Sequence, residues 1–324
     1  MKSIAFLLPY FGHLPSNFNL WLKSCEYNPT IDFIVITDDH TKYQYPTNVK
    51  VQYCSYEEIK RRIQSHFDFE VLIDRPWTLA LFKPAYGEIF KKELENYEFW
   101  GFCDADLMWG NIRSFVTEEI LEKYERIGTK GHASLYKNDP DVNARYKNIV
   151  SDKADYKNVF SGKSKYSFDE NGMDEIYEAL EIPFFFKPNY AHLEKYESSF
   201  YLKRLPKEKL YTNKYQVFVW DEGVLNRVYL DKNEVKCEEY MYIHFFCRPM
   251  QYVIGEDNCC RYVMYPDIVK PYINNITENY IRKHGKQGKF KFLLKIIWRN
   301  KKKFTLNRIY NNIRNIREYR KYKI

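Results

Sequence analysis

The sequence predicts an α/β protein: an open sheet flanked by helices. Three observations carry this. Over the first third of the chain, short apolar runs alternate with segments whose apolar residues recur at helical spacing. The runs SIAFLLPY, IDFIVITDD and YEFWGFCDAD each read as a buried strand. Each delivers polar residues or glycine at its end, namely Tyr10 and Gly12, Asp38 and Asp39, and Asp104 and Asp106. In open α/β sheets, ligands sit at the carboxyl ends of the strands.

The elements follow in order. SIAFLLPY is the first strand. SNFNLWLKSCEYN is a helix with Ser16 as N-cap, IDFIVITDD the second strand and VKVQYCS the third. SYEEIKRRIQSHF is a helix with Ser55 as cap and Glu58 three residues on, a capping-box pattern. TLALFKPAYGEIFKKEL is helical after Pro84, with a bend or start there. YEFWGFCDAD is the fourth strand. GTKGHASLYKN reads as a loop leading into a strand, and YSFDENGMDEIYEALEI as a loop feeding a helix. YQVFVWDEGVLNRVYL is a hairpin around Asp221-Glu222-Gly223, and MYIHFFCRPM a further strand. After Pro271 the pattern turns helical and basic.

The chain has 324 residues, 45% of them hydrophobic, enough for one large core or one core with a smaller addition. Seven cysteines with no CxxC pair match neither a zinc site nor a disulfide framework, so reduced thiols in a cytosolic protein are expected. MKSIAFLLPYFG places only five apolar residues before Pro9, too few for the apolar region of a signal peptide. No run approaches the roughly 18 apolar residues of a membrane span. The net charge of +8 is unevenly spread. Residues 282–324 hold sixteen of the 51 Lys/Arg and one of the 43 acids, which leaves 35 basic and 42 acidic side chains elsewhere. A mildly acidic body thus carries a strongly basic tail, as suits an anionic partner.

Asp104 and Asp106 end a strand that otherwise reads as core. Residues two apart on an extended chain face the same side. Two like charges held that close raise each other's pKa unless a cation joins them. A divalent ion with hard oxygen ligands, Mn²⁺ or Mg²⁺, answers that need and can grip a diphosphate leaving group. The alternative is that both aspartates cap the turn at Gly110.

FWGFCDADLMWGNI resembles the DxD segment of GT-A-fold glycosyltransferases that use nucleotide sugars. The resemblance extends to LFKPAYGEIF, GHASLYKN, FDENGMDEI and YIHFFCRPM. Together these segments, over residues 4–250, resemble bacterial transferases of capsule and lipopolysaccharide assembly. The resemblance implies a GT-A-like, Rossmann-like mixed sheet in residues 1–270, with a nucleotide-binding half at 1–112 and an acceptor half at 113–270. The basic helical tail, 271–324, follows.

It also implies roles. Asp104 lies toward ribose and metal, Asp106 is the firmer metal ligand, and His244 completes the metal site; otherwise His244 is a core histidine. Arg248 holds the diphosphate, or is a surface arginine. Pro9, Tyr10, Phe11 and Gly12 floor the nucleotide pocket, with Tyr10 alternatively simple core, and Asp38 takes the base or ribose edge. Lys83 and Arg75 contact phosphate or sugar, or are surface charges. Asp169 or Glu170 is the general base that takes the acceptor proton, Asp169 ahead; the alternative is helix-dipole stabilisation. Asp221 and Glu222 are a rival pair that turn chemistry explains well. His132 touches donor sugar or acceptor, or is structural.

The expected ligands are a nucleotide-sugar donor, UDP-linked first, and a glycan or lipid-linked glycan acceptor at the inner face of the bacterial cytoplasmic membrane. GKFKFLLKIIWRNKKKF reads as an in-plane helix on an anionic membrane surface. Basic residues among aromatics also suit nucleic acid, but no nucleic-acid motif accompanies them. Two other readings remain. One is a nucleotidyltransferase, which lacks the glycine-rich, lysine-containing phosphate loop. The other is a glycan- or nucleic-acid-binding protein with a structural acid pair.

Overall fold

The computed structural model describes residues 1–187, 189–193, 215–246, 250–253, 259–265, 267–272 and 275–286. The central sheet contains β1 (Ile4–Tyr10), β2 (Ile31–Thr37), β3 (Val49–Tyr53) and β4 (Phe99–Cys103). A short β5 (Leu107–Trp109) leaves the sheet, and β6 (Arg126–Lys130) and β7 (Ala133–Lys137) return to it. The order is β3-β2-β1-β4-β7-β6. The pairs β3–β2, β2–β1 and β1–β4 are parallel; β4–β7 and β7–β6 are antiparallel.

Both faces of this sheet are covered, which is why its strands read as unbroken apolar runs. In β1, Ile4, Phe6 and Leu8 face one core, while Ala5 and Leu7 face the other. Helix α1 (Phe18–Glu26) brings Phe18, Trp21 and Cys25 to the first core. Helix α2 (Tyr56–Gln64) brings Ile59 and Ile63 to the second, beside Phe82, Tyr86 and Phe90. The chain winds from β1 out to β3 and then crosses to the opposite flank of β1 for β4. That reversal opens a crevice at the carboxyl ends of β1 and β4.

The rest of the chain adds two sheets. Strand β8 (Tyr190–His192) joins a three-stranded sheet, while β9 (Gln216–Asp221), β10 (Val224–Asp231) and β11 (Glu234–Tyr240) form a meander. Strand β12 (Tyr242–His244) lies between β5 and β8. Strands β13 (Gln251–Tyr252), β14 (Arg261–Tyr265) and β15 (Ile268–Pro271) complete a six-stranded sheet ordered β11-β10-β9-β14-β15-β13. The helix Glu278–His284, capped by the Thr277 side chain, packs on this sheet through buried Ile281. Segment 271–324 therefore begins as part of the folded body. The remainder of that segment, with the expected membrane helix, lies outside the described residues.

Several local expectations are corrected. Asn17, not Ser16, sits at the N-terminus of α1, and it makes no side-chain cap. Its amide instead donates to the Ala105 carbonyl at 3.1 Å, a long-range tie that capping rules do not foresee. Helical structure starts at Pro76, well before Pro84, because a 3₁₀ helix spans Pro76–Ala85. Proline at a helix start gives up only an N–H that has no helical partner. The Gly-Thr-Lys of GTKGHASLYKN lies inside β6; Gly128, at φ +83°, occupies an irregularity in the β6–β7 register. Ser55 and Glu58 do form the reciprocal capping box. The two-residue turn Glu222-Gly223, with φ +47° and +87°, joins β9 to β10.

Cys25, Cys54, Cys103, Cys237, Cys259 and Cys260 are free thiols. Among the described residues, no helix is long and apolar enough to cross a membrane.

Candidate active site

Asp104 and Asp106 are not on an extended strand. They lie in the turn between β4 and β5, so alternation along a strand does not explain why they converge. The third sheet explains it. Strand β5 pairs antiparallel with β12, and Leu107, next to Asp106, lies opposite His244. The Phe245 N–H donates to the Asp106 carbonyl at 2.9 Å and fixes this register. His244 Nε2 then lies 3.2 Å from Asp106 Oδ1 and 3.8 Å from Asp104 Oδ2. One ligand atom from each of the three residues falls within 4.8 Å of the others, a group able to hold a metal ion.

Lys83 reaches this group from the end of the 3₁₀ helix. Its ammonium, buried, donates to Asp104 Oδ1 at 2.6 Å and to the Gly131 carbonyl at 2.5 Å. Burial alone would pull its pKa down, but the charges of Asp104 and Asp169 outweigh that and hold it above the ordinary value. On the other side of the same glycine, the Gly131 N–H donates to Glu170 Oε1 at 2.9 Å. Lys130 lies 4.0 Å from Glu170 Oε2.

Asp169 and Glu170 sit in a π-helical turn, Phe168–Gly172, which leads into the helix Met173–Ala179. The Asp169 carboxyl lies against Gly131 so closely that a Cβ there would collide with it. Burial pushes its pKa up to about 6, with Lys83 pulling down and Glu170 and Asp104 pushing up. A carboxyl that titrates there can take up a proton near neutral pH.

The first strand end adjoins this group. Gly12, at φ +90°, donates its N–H to Asp38 Oδ1 at 2.7 Å. Asp38, expected at a base or ribose edge, thus already holds the loop after β1 with one oxygen. Asp39 is buried; hydrogen bonds from the Thr41 hydroxyl, the Leu14 N–H and the Thr41 N–H hold its carboxyl below the usual range. The Asn17–Ala105 hydrogen bond ties the segment after β1 to the aspartate turn. Pro9 and Tyr10 are partly exposed at the end of β1, and nothing lies within 4 Å of where a Gly12 Cβ would stand. Phe11 differs from the expected floor: it is buried against Tyr56, with ring centroids 5.5 Å apart.

Further expected site residues are Arg75, Arg248 and Asp221. Arg75 is exposed, paired with Asp74 at 2.8 Å and lying over Trp77. The salt bridge and ring satisfy it at the surface, and the structure does not bring it into the aspartate group. Arg248 lies outside the described residues. Asp221, at the end of β9 before the Glu222-Gly223 turn, accepts from Arg261 Nε of the neighbouring β14 at 2.8 Å.

His132, in the turn between β6 and β7, is buried, and its Nδ1 lies 2.9 Å from the Tyr242 hydroxyl. Burial first, and then His244 and His192, hold its pKa well below the ordinary value. Its ring centroid is 4.5 Å from that of His244. His192, which sequence reasoning missed, is opposite His244 in the parallel β8–β12 register, with the two Nδ1 atoms 3.1 Å apart. No motif marks it, because its place follows from a strand of three residues pairing with one far along the chain.

None of the curated proteins matches this chain. Among solved structures, the chain is similar to mouse xyloside xylosyltransferase 1 in its apo form, at 10% identity and a TM-score of 0.37, over 58% of this chain and 88% of that one. Residues 6–273 match the model of a family of unknown function, DUF6625, and the chain belongs to that family.

Proposed function

We propose that the protein is a glycosyltransferase that moves a sugar from a nucleotide-diphosphate donor, UDP-linked first, to a glycan acceptor. The observation that carries the reading is the convergence of Asp104, Asp106 and His244 at the crevice between β1 and β4. Open α/β sheets bind nucleotides at such a crevice. Two carboxylates suit Mn²⁺ or Mg²⁺, which take hard oxygen donors, and the added imidazole fits Mn²⁺ better than Mg²⁺. Bound there, the ion supplies Lewis-acid charge for the diphosphate leaving group.

The chain's own residues divide the work. Asp106, Asp104 and His244 would hold the ion, while Asp104 accepts a hydrogen bond from Lys83. The loop at Gly12, fixed by Asp38, lets the nucleotide approach the backbone closely. Lys83 provides a fixed positive charge beside the phosphates. Asp169 takes the acceptor hydroxyl proton, and direct attack by that hydroxyl inverts the anomeric centre. Glu170 holds the Gly131 turn that backs Asp169. The acceptor is a growing bacterial surface glycan, and the basic tail places the enzyme on the anionic inner face of the membrane.

The test is thermal stability with UDP, with and without Mn²⁺, in wild type and Asp106→Ala. Ligand at one hundred times its Kd adds about 2.7 kcal/mol. The expected result is a Mn²⁺-dependent shift that Asp106→Ala removes, followed by slow metal-dependent hydrolysis of a UDP-sugar. Pyrophosphate exchange without donor hydrolysis would indicate nucleotidyl transfer. No shift with any nucleotide would return the aspartates to a structural role.

A further inference from the structure

We propose that His132, His192 and His244 form a second metal site, of Zn²⁺ type, which shares the His244 ring with the carboxylate group. The three rings come from three elements: the β6–β7 turn, the end of β8 and the end of β12. One nitrogen from each lies within 4.8 Å of the others, with His132 and His244 buried and His192 half-buried. The His192 and His244 Nδ1 atoms are 3.1 Å apart. Two imidazoles on a tetrahedral Zn²⁺, bound at about 2.0–2.1 Å, hold their nitrogens about 3.3 Å apart. The strand register has thus set this pair at nearly the separation an ion needs.

The third ligand has the outer support that metal-bound histidines use. His132 Nδ1 lies 2.9 Å from the Tyr242 hydroxyl, and in the tautomer whose Nδ1–H donates to that oxygen the lone pair is on Nε2, free for a metal. Three neutral imidazoles without a carboxylate favour Zn²⁺, Co²⁺, Ni²⁺ or Cu²⁺ over Mg²⁺ and Mn²⁺. The neighbouring group, with two carboxylates, accommodates hard ions such as Mn²⁺ better than three imidazoles do.

One ring serves both groups. His244 Nε2 faces Asp106 and Asp104, while its Nδ1 faces His192. A neutral imidazole has a single lone pair. An ion on Nδ1 leaves the proton on Nε2, where it is donated to Asp106. An ion on Nε2 leaves the proton on Nδ1, where it is donated to His192. The two ions therefore compete for His244. This competition rests on the carboxylate site binding metal; the three-histidine site does not.

The test uses the full-length chain loaded with Co²⁺, whose visible bands are intense in tetrahedral sites and weak in octahedral ones. The expected result is an intense spectrum in wild type, displaced by Zn²⁺, retained in the D104N/D106N double variant and lost in H192Q. Absence of the spectrum in wild type, its survival in H192Q or its loss in D104N/D106N would overturn the site. Should H192Q not fold, imidazole ¹⁵N resonances of the wild type decide. One equivalent of Zn²⁺ should move the Nδ1 signals of His192 and His244, whereas movement of His244 Nε2 alone would overturn the proposal. Where Mn²⁺–UDP gives its thermal shift, the same additions should bleach the Co²⁺ spectrum; an unchanged spectrum would overturn the shared ring.

Discussion

Two buried cations show how differently the two large sheets treat charge. In the β9–β10–β11 meander, Arg227 is fully buried, donates to Gln216 at 2.7 Å and Glu238 at 3.3 Å, and stacks over Tyr229. Glu238 in turn accepts from Tyr229 and Tyr240. These groups answer one another within one sheet. Around the Gly131 turn of the central mixed sheet, Lys83 and Lys130 face Asp104, Asp169 and Glu170. The first arrangement is complete as a piece of structure. The second gathers several carboxyl groups around two lysines and raises one of them toward neutrality, the kind of perturbation that clusters at functional sites.

The largest expected contrast comes from deleting one member of each set. Asp106→Ala should abolish donor turnover and the Mn²⁺-dependent UDP shift while leaving the apo melting temperature close to wild type. Arg227→Met should do the reverse: a loss of roughly 2–3 kcal/mol of stability, the scale of hydrogen bonds to a charged group, with donor hydrolysis per folded molecule unchanged. Denaturant melts and hydrolysis assays on both variants check this. Equal loss of activity in the two would erase the contrast.

Asp169→Asn sharpens it within the site. The amide keeps the shape and cannot take a proton, so kcat should fall by about 10²–10⁴-fold, with the donor KM little changed. Steady-state kinetics with donor and acceptor decide. A kcat within a few-fold of wild type would place the proton acceptor elsewhere and weaken the inverting mechanism.

The sequence was most legible where structure is local. The first four strands and the Ser55–Glu58 capping box follow from patterns within a few residues. What it hid depends on pairing across long separations. The second six-stranded sheet appeared in the sequence only as one hairpin, because β14 and β15 join β9 from beyond it. The aspartates were noticed for the wrong geometric reason: they converge on His244 through β5–β12 pairing, not through strand alternation. His192 was invisible for the same cause, and the exposed pairing of Arg75 with its neighbour Asp74 was likewise unmarked by any motif.

The smallest effect, a displaced pH limb, asks whether the charges around Asp169 are themselves the device. Asp169 titrates near 6, raised chiefly by burial and restrained by Lys83. If it is the base, activity rises as pH climbs through about 6 and the carboxyl loses its proton. Lys83→Met removes the restraining charge and leaves Asp104 and Glu170 to repel the carboxylate, so the limb should move to higher pH. Stability carries the matching sign. A carboxyl whose folded pKa lies above its ordinary value of 3.8 costs stability above pH 6, and the cost fades as pH falls through 6 toward 3.8. In Lys83→Met that relief should begin at higher pH, and urea melts between pH 5 and 8 would record it. A limb that moves together with the onset of relief would identify both with Asp169. A limb that stays in place while the onset moves would assign the proton transfer to another group.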